Sequence, residues 1–123
     1  MTNHYVRFTA GTTSMQNKSY TYILTNNNGK VMYIGVTADL FKRIKEHISG
    51  IVPGFTAKYN VHKLVYYEVY SDIRDAISRE TQLKNWKRAW KDALVEKYNP
   101  QREDLFKKLE EGNPIGNLPI SSL

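Results

Sequence analysis

The stretch that decides the fold is Tyr20-Thr21-Tyr22-Ile23-Leu24-Thr25, then Asn26-Asn27-Asn28-Gly29-Lys30, then Val31-Met32-Tyr33-Ile34-Gly35-Val36. The first and last segments carry the β-branched and aromatic bias of strands. Between them, Asn and Gly tolerate the positive φ that a tight hairpin turn demands. The pattern predicts a β-hairpin. Strand alternation puts Tyr20 and Tyr22 on one face, and a simple register brings Tyr22 near Tyr33.

Outward from the hairpin, Leu40, Phe41, Ile44 and Ile48 recur at helical spacing and predict a helix over about 38–49. Thr37 is its expected N-cap, Asp39 suits the positive end of the helix dipole, and Gly50 is its stop. Pro53-Gly54 opens a loop that runs to about residue 61. Residues 63–70 form a third strand, with Ser71 or Asp72 as cap of the next helix. Ile73, Ala76, Ile77, Leu83 and Trp86 or Trp90 supply that helix with an apolar stripe. A break near residues 85–88 separates it from a second piece that ends at about Tyr98, before Asn99-Pro100. A short helix is expected over about 103–111, then an irregular tail from Gly112. The order β-β-α-β-α-α predicts an α+β fold, a small three-stranded antiparallel sheet flanked by helices. Residues 1–18 read as a flexible polar leader, 19–100 as the domain, and 101–123 as a C-terminal helix and tail.

The chain has 123 residues, the size of one domain, and no cysteine. Disulfides, thiolate zinc sites and a cysteine nucleophile are thereby excluded. No apolar run approaches the roughly 20 residues needed to cross a bilayer, and the first residues lack a signal peptide's apolar stretch. A cytoplasmic protein with no membrane partner is expected. The formal net charge is +6, a field that concentrates polyanions such as nucleic acid.

Five features bear on chemistry. Tyr22 and Tyr33 are either ordinary sheet packing or phenols whose pKa a nearby cation lowers enough to help deprotonate water. Gly35, inside an apolar strand, marks either a strand-end kink or a close approach, with a phosphate as one candidate. Arg43 and His47 lie four residues apart on one helix face bordering the apolar stripe. The guanidinium suits a forked grip on phosphate and the imidazole suits proton relay, unless the two are merely solvated. Glu80 falls on the apolar stripe, where a carboxylate needs either a salt bridge to a residue such as Lys84 or a bound cation. A hard ion such as Mg2+ accepts one carboxylate together with waters and phosphate oxygens. Lys84, Lys87, Arg88 and Lys91 recur at helical spacing as a basic ridge, either solvated or binding phosphates, with Trp86 and Trp90 expected on the core side.

Taken together, these residues resemble the GIY-YIG endonucleases. Tyr33-Ile34-Gly35 is the second half of that signature, and Tyr20-Thr21-Tyr22 stands where the first half belongs and keeps its final tyrosine. Thr37, Asp39-Leu40, Arg43 and His47 follow in order, then Glu80, then Asn99-Pro100. The match spans about residues 19–100 and is most like the small stand-alone bacterial YhbQ-like group. The resemblance implies hydrolysis of phosphodiester bonds in DNA, more than RNA, with one Mg2+ or Mn2+, in a repair or recombination setting. It implies that Tyr22 and Tyr33 line the site, Arg43 stabilises charge, Glu80 holds the metal and His47 assists, with Asn99 a weaker transfer. Gly35, Lys84, Lys87, Arg88 and Lys91 are the expected nucleic-acid contacts. Tyr20 and Thr21 replace the Gly and Ile of the first tripeptide, and Val36 stands where some repair members carry lysine. No second DNA-binding domain is recognisable, which leaves room for a protein partner that supplies specificity. A monomer or weak homodimer is expected. The alternative is a non-catalytic nucleic-acid-binding module on the same scaffold. A protein-interaction domain has no positive feature behind it.

Overall fold

A computed structural model describes residues 18–51 and 54–110. The expected leader before Lys18 and tail beyond Glu110 lie outside the described residues. β1 (Ser19–Thr25) and β2 (Met32–Thr37) form the expected hairpin, with Tyr22 opposite Gly35 and Leu24 opposite Tyr33. Gly29 closes the turn at φ 77°, in the left-handed region that a Cβ disfavours. Asn26 accepts from Val31 N–H through its side chain, so the asparagine acts as the turn's clasp. β3 (Lys63–Tyr70) pairs antiparallel with the other side of β1, giving the order β2-β1-β3. As the middle strand, β1 is buried along its whole length.

The register of β1 against β3 shifts between Ile23 and Leu24, leaving Val65 without a partner on β1. Asn99 Nδ2 donates to the Val65 carbonyl at 3.0 Å. One residue earlier, Leu64 N–H donates to Asp104 Oδ1 and the Leu64 carbonyl accepts from Leu105 N–H. The segment after Asn99 therefore covers the open edge of β3, which would otherwise invite pairing with another chain.

α1 (Leu40–Ser49) is capped by Asp39, whose side chain accepts from Lys42 N–H. The expected cap, Thr37, instead accepts from Asp39 N–H and shapes the approach to the helix. A short helix, α2 (Phe55–Lys58), stands in the stretch read as loop. α3 (Ile73–Asn85) starts on Asp72, and α4 (Arg88–Tyr98) follows an extended break at Trp86 and Lys87. α5 (Phe106–Glu110) falls inside the range expected for the last helix.

α3 packs on the sheet through Ala76 and Leu83, and Thr21 Oγ1 donates to the Ala76 carbonyl at 2.7 Å. Ile73 and Ile77, expected on the buried stripe, are exposed, so the contact face is narrower than the apolar pattern. Trp90, expected in the core, is also exposed and sits edge-on to Trp86, which does pack against the core. The core joins both faces of the sheet through Ile23, Leu24, Ile44, Leu64, Tyr66, Leu83 and Val95. Fully burying an aliphatic side chain of this kind stabilises by about 1.5–3 kcal/mol.

A partly buried ion pair joins α3 to β3. Arg79 Nε and Nη2 donate to the Glu68 carboxylate, which also accepts from the Tyr66 and Tyr70 hydroxyls. Burial alone would penalise both charges, but here the carboxylate is saturated by donors. Burial, then the neighbouring Glu68, holds the Tyr66 phenol far above its ordinary range. Arg79 also lies over the Trp86 ring, 5.1 Å from its centroid. Glu80 is the next residue along, so this brace sets the position from which its side chain departs.

Candidate active site

Tyr22 departs from the middle strand and is 2% exposed. Its hydroxyl lies 3.1 Å from His47 Nε2, and His47 Nδ1 lies 3.1 Å from Thr56 Oγ1. The three buried side chains thus form a line from sheet to α1 to α2. Tyr33 completes the group, with its ring 6.3 Å from Tyr22 and 5.6 Å from His47 between centroids. In register, Tyr33 sits diagonally across from Tyr22, which is the expected proximity.

Gly35 has a physical reason that differs from a phosphate approach. It lies directly opposite Tyr22, and a Cβ built on it would collide with the phenol oxygen and with Cζ of that ring. Gly35 is itself buried, so the close approach is by the protein's own side chain.

The charged residues converge electrostatically on the same phenol. Burial, chiefly, holds the Tyr22 hydroxyl well above the ordinary phenol range; Tyr33 adds to this, Arg43 opposes it, and Glu80 and Glu46 add again. Among the protein's own groups desolvation outweighs Arg43, so they alone raise the phenol and do not lower it. His47 moves the other way: burial lowers its pKa, Arg43 lowers it further, and Glu46 opposes. A neutral imidazole carries one N–H, so the line of bonds runs in one of two directions: Tyr22 donates to Nε2 while Nδ1–H donates to Thr56, or Thr56 donates to Nδ1 while Nε2–H donates to Tyr22.

Arg43 is tied to Glu46 at 3.3 Å, with its side chain 41% exposed. Such a solvent-facing pair is held weakly enough for a phosphate to replace it. Glu80 pairs with Lys84 at 3.1 Å and is 21% exposed. The salt bridge read as the alternative for Glu80 thus exists, and it joins two residues both expected at the site. Among the described residues no three His, Cys, Asp or Glu side chains group around a metal position. The donor chemistry of Glu80 fits a hard ion that keeps waters and takes phosphate oxygens, and does not fit an ion enclosed by protein alone.

The basic residues divide. Lys84 and Lys91 both line a groove with Tyr33, so two cations from different helices stand beside the tyrosine. Lys87 caps α4 and lies 5.7 Å over the Trp90 ring. Arg88 departs from the expected phosphate ridge. Its guanidinium donates to the Gly29 and Lys30 carbonyls and pairs with Asp92, tying α4 to the hairpin turn. The continuous ridge fails because the chain leaves helical geometry at Trp86 and Lys87. Asn99 is buried at the β3 bulge, bonded through both side-chain atoms to Val65 and Glu103 backbone groups. Its observed partners are structural.

Two residues at the site escaped the sequence reading. Glu46 lies three positions from Arg43, so helical spacing alone would have found the pair. Thr56 lies in the short helix α2, nine positions after His47, and no local pattern links the two.

The chain matches the GIY-YIG catalytic domain over residues 18–99. It is 38% identical over 89 residues to a UPF0213 protein of Syntrophus aciditrophicus, covering 69% of this chain and 97% of that protein. A UPF0213 protein of Bacillus pumilus is 33% identical over 84 residues, covering 68% and 85%. The solution NMR structure of a UPF0213 protein from Bacillus halodurans shares 30% identity, covers 75% of this chain and 96% of its own, and superposes with a TM-score of 0.47. Hairpin, ordered signature residues and matched length agree: the chain belongs to the GIY-YIG catalytic domain family, among the small proteins called UPF0213.

Proposed function

We propose that this protein is an endonuclease that hydrolyses phosphodiester bonds in DNA with a divalent metal, Mg2+ or Mn2+, in repair or recombination. The observation that carries the reading is the Tyr22–His47 contact of 3.1 Å, made where the charges of Arg43 and Glu80 act on the same phenol.

Glu80 would hold the metal ion, which supplies positive charge against the phosphate and makes a nearby water more acidic. Arg43 exchanges its exposed bond to Glu46 for the scissile phosphate and stabilises the negative charge that grows there. A neutral phenol accepts a proton only as it releases its own, and Tyr22 has a recipient in His47 Nε2. The attacking water's proton passes to the Tyr22 oxygen while the phenol proton passes to His47. The water oxygen bonds to phosphorus as the bond to the leaving oxygen breaks; that oxygen takes a proton from solvent, and His47 returns its proton to solvent to reset the site. Thr56 accepts from His47 Nδ1 throughout, which keeps the Nε2 lone pair turned toward Tyr22. Tyr33 closes the site toward the groove and orients the strand.

The test is incubation of the purified chain with duplex, branched and single-stranded DNA, with Mg2+ and with EDTA, beside Glu80→Ala. Cleavage that needs the metal and is lost in the variant supports the reading. Cleavage indifferent to EDTA or to the variant overturns it. Salt-sensitive binding without any cleavage replaces it with a nucleic-acid-binding module.

A further inference from the structure

We propose that the groove beside Tyr33 receives one unstacked nucleobase of the DNA strand to be cut, an assignment that rests on the nuclease reading above. The groove holds about 300 Å3 and is lined by Met32, Tyr33, Ile34, Phe55, Lys84 and Lys91. Tyr33 is common to both places, since its ring also neighbours Tyr22 and His47. Whatever fills the groove therefore lies directly beside the candidate site.

The lining selects the occupant. Met32, Ile34 and Phe55 offer apolar surface, which cannot compensate the lost hydration of a phosphate. A base presents a flat π face that such surface suits, and the two lysines stand where the phosphates flanking that base would pass. Phe55 is 48% exposed, and its described ring partner is Tyr59, at 4.9 Å. The Lys58 ammonium lies 5.4 Å over the Tyr59 ring, adding positive charge on the same side of α2. In an intact duplex the base faces are stacked inside and cannot reach such a groove. Extrusion is least costly where a nucleotide is already unpaired. The favoured substrate is thus DNA with an unpaired nucleotide at the cut, as in a single strand, a flap or a bulge.

Binding is measured by fluorescence anisotropy in EDTA, so that cleavage plays no part. The probes are a labelled single strand of about 12 nucleotides, its blunt duplex, and the same strand with abasic positions. Phe55→Ala is expected to weaken binding of the single strand about tenfold and to leave duplex binding unchanged, the loss expected from removing one stacked base. Phe55→Trp should retain tight binding, and the abasic strand should be insensitive to Phe55. Because Phe55 is exposed, the variants should keep the wild-type circular dichroism; a changed spectrum moves the comparison to Phe55→Trp and the abasic strand alone. Equal losses on strand and duplex, no loss on either, or failure of the single strand to bind overturns the assignment. A Phe55-dependent strand that is never cut with Mg2+ sinks the nuclease reading and leaves the groove. Cleavage without Phe55 dependence does the reverse.

Discussion

The Tyr22 hydroxyl meets His47 Nε2 at 3.1 Å, and the two groups carry opposite pKa displacements from the same cause, burial. The phenol holds its proton more tightly and the imidazole binds one less readily, so both groups are neutral at the contact. The proposed relay uses the tautomer in which the Nε2 lone pair accepts from the Tyr22 hydroxyl.

The pH dependence follows from the depressed His47. In the proposed mechanism cleavage needs neutral His47, so the rate should fall only as pH drops through a midpoint below the ordinary 6.5. Stability has the same sign. The unfolded histidine takes up a proton first, so the contribution is full above about 6.5 and declines below it until the folded group titrates. Removing Arg43 relieves one cause of the depression, and Arg43→Ala should raise the His47 midpoint. An NMR titration of the imidazole checks this, and a midpoint unmoved or lowered in the variant contradicts it.

Gly35 should be intolerant of even a methyl group. In Gly35→Ala the new Cβ meets the Tyr22 phenol, which is packed and has no room to retreat. Overpacking of this sort costs about 1–3 kcal/mol. Thermal unfolding should show that loss, and the His47 imidazole signals should shift as the Tyr22 bond is broken. A variant with unchanged unfolding and unchanged imidazole signals would show that the two strands can part without penalty.

Asn99 should behave as a structural residue. Asn99→Ala strips partners from the Val65 carbonyl at the bulge and from the Glu103 backbone. Leaving buried backbone groups unpaired costs about 1–3 kcal/mol, read as a lower denaturant midpoint. A midpoint equal to wild type would mean that water replaces these bonds freely.

Much of this was legible in residues 20–36, because a hairpin's turn chemistry and alternation are local properties. The third strand, the break after α3 and the neighbourhood of Tyr22 and Tyr33 follow from the same reading. The four-residue spacing of Arg43 and His47 was legible too, but not that His47 turns inward to Thr56. That contact joins two separate helices, α1 and α2, and no periodicity encodes it. The bonds of Arg88 to the hairpin turn were not legible, because helical spacing was carried through residues where the backbone is extended. Glu68 was overlooked because a carboxylate in a strand normally faces water, whereas here one arginine and two phenols meet it from neighbouring positions.

Arg43 should be distinguishable from a merely structural cation. Its guanidinium is half-exposed and its bond to Glu46 adds little to stability, so Arg43→Ala should fold normally. Loss of a charge-stabilising donor typically costs about 100- to 1000-fold in rate, and single-turnover cleavage should show it. Arg43→Lys should recover little, since an ammonium lacks the two-pronged geometry. Full activity in either variant would remove Arg43 from the site.

The most direct measurement is paramagnetic broadening by Mn2+ of the protein's NMR signals, with a cleavage-resistant phosphorothioate oligonucleotide bound. Signals of Tyr22, Tyr33, Arg43 and Glu80 are predicted to vanish together at the lowest Mn2+, before those of the rest of the chain. Broadening centred elsewhere, or its survival in Glu80→Ala, would contradict a shared metal and phosphate site on the hairpin, α1 and α3.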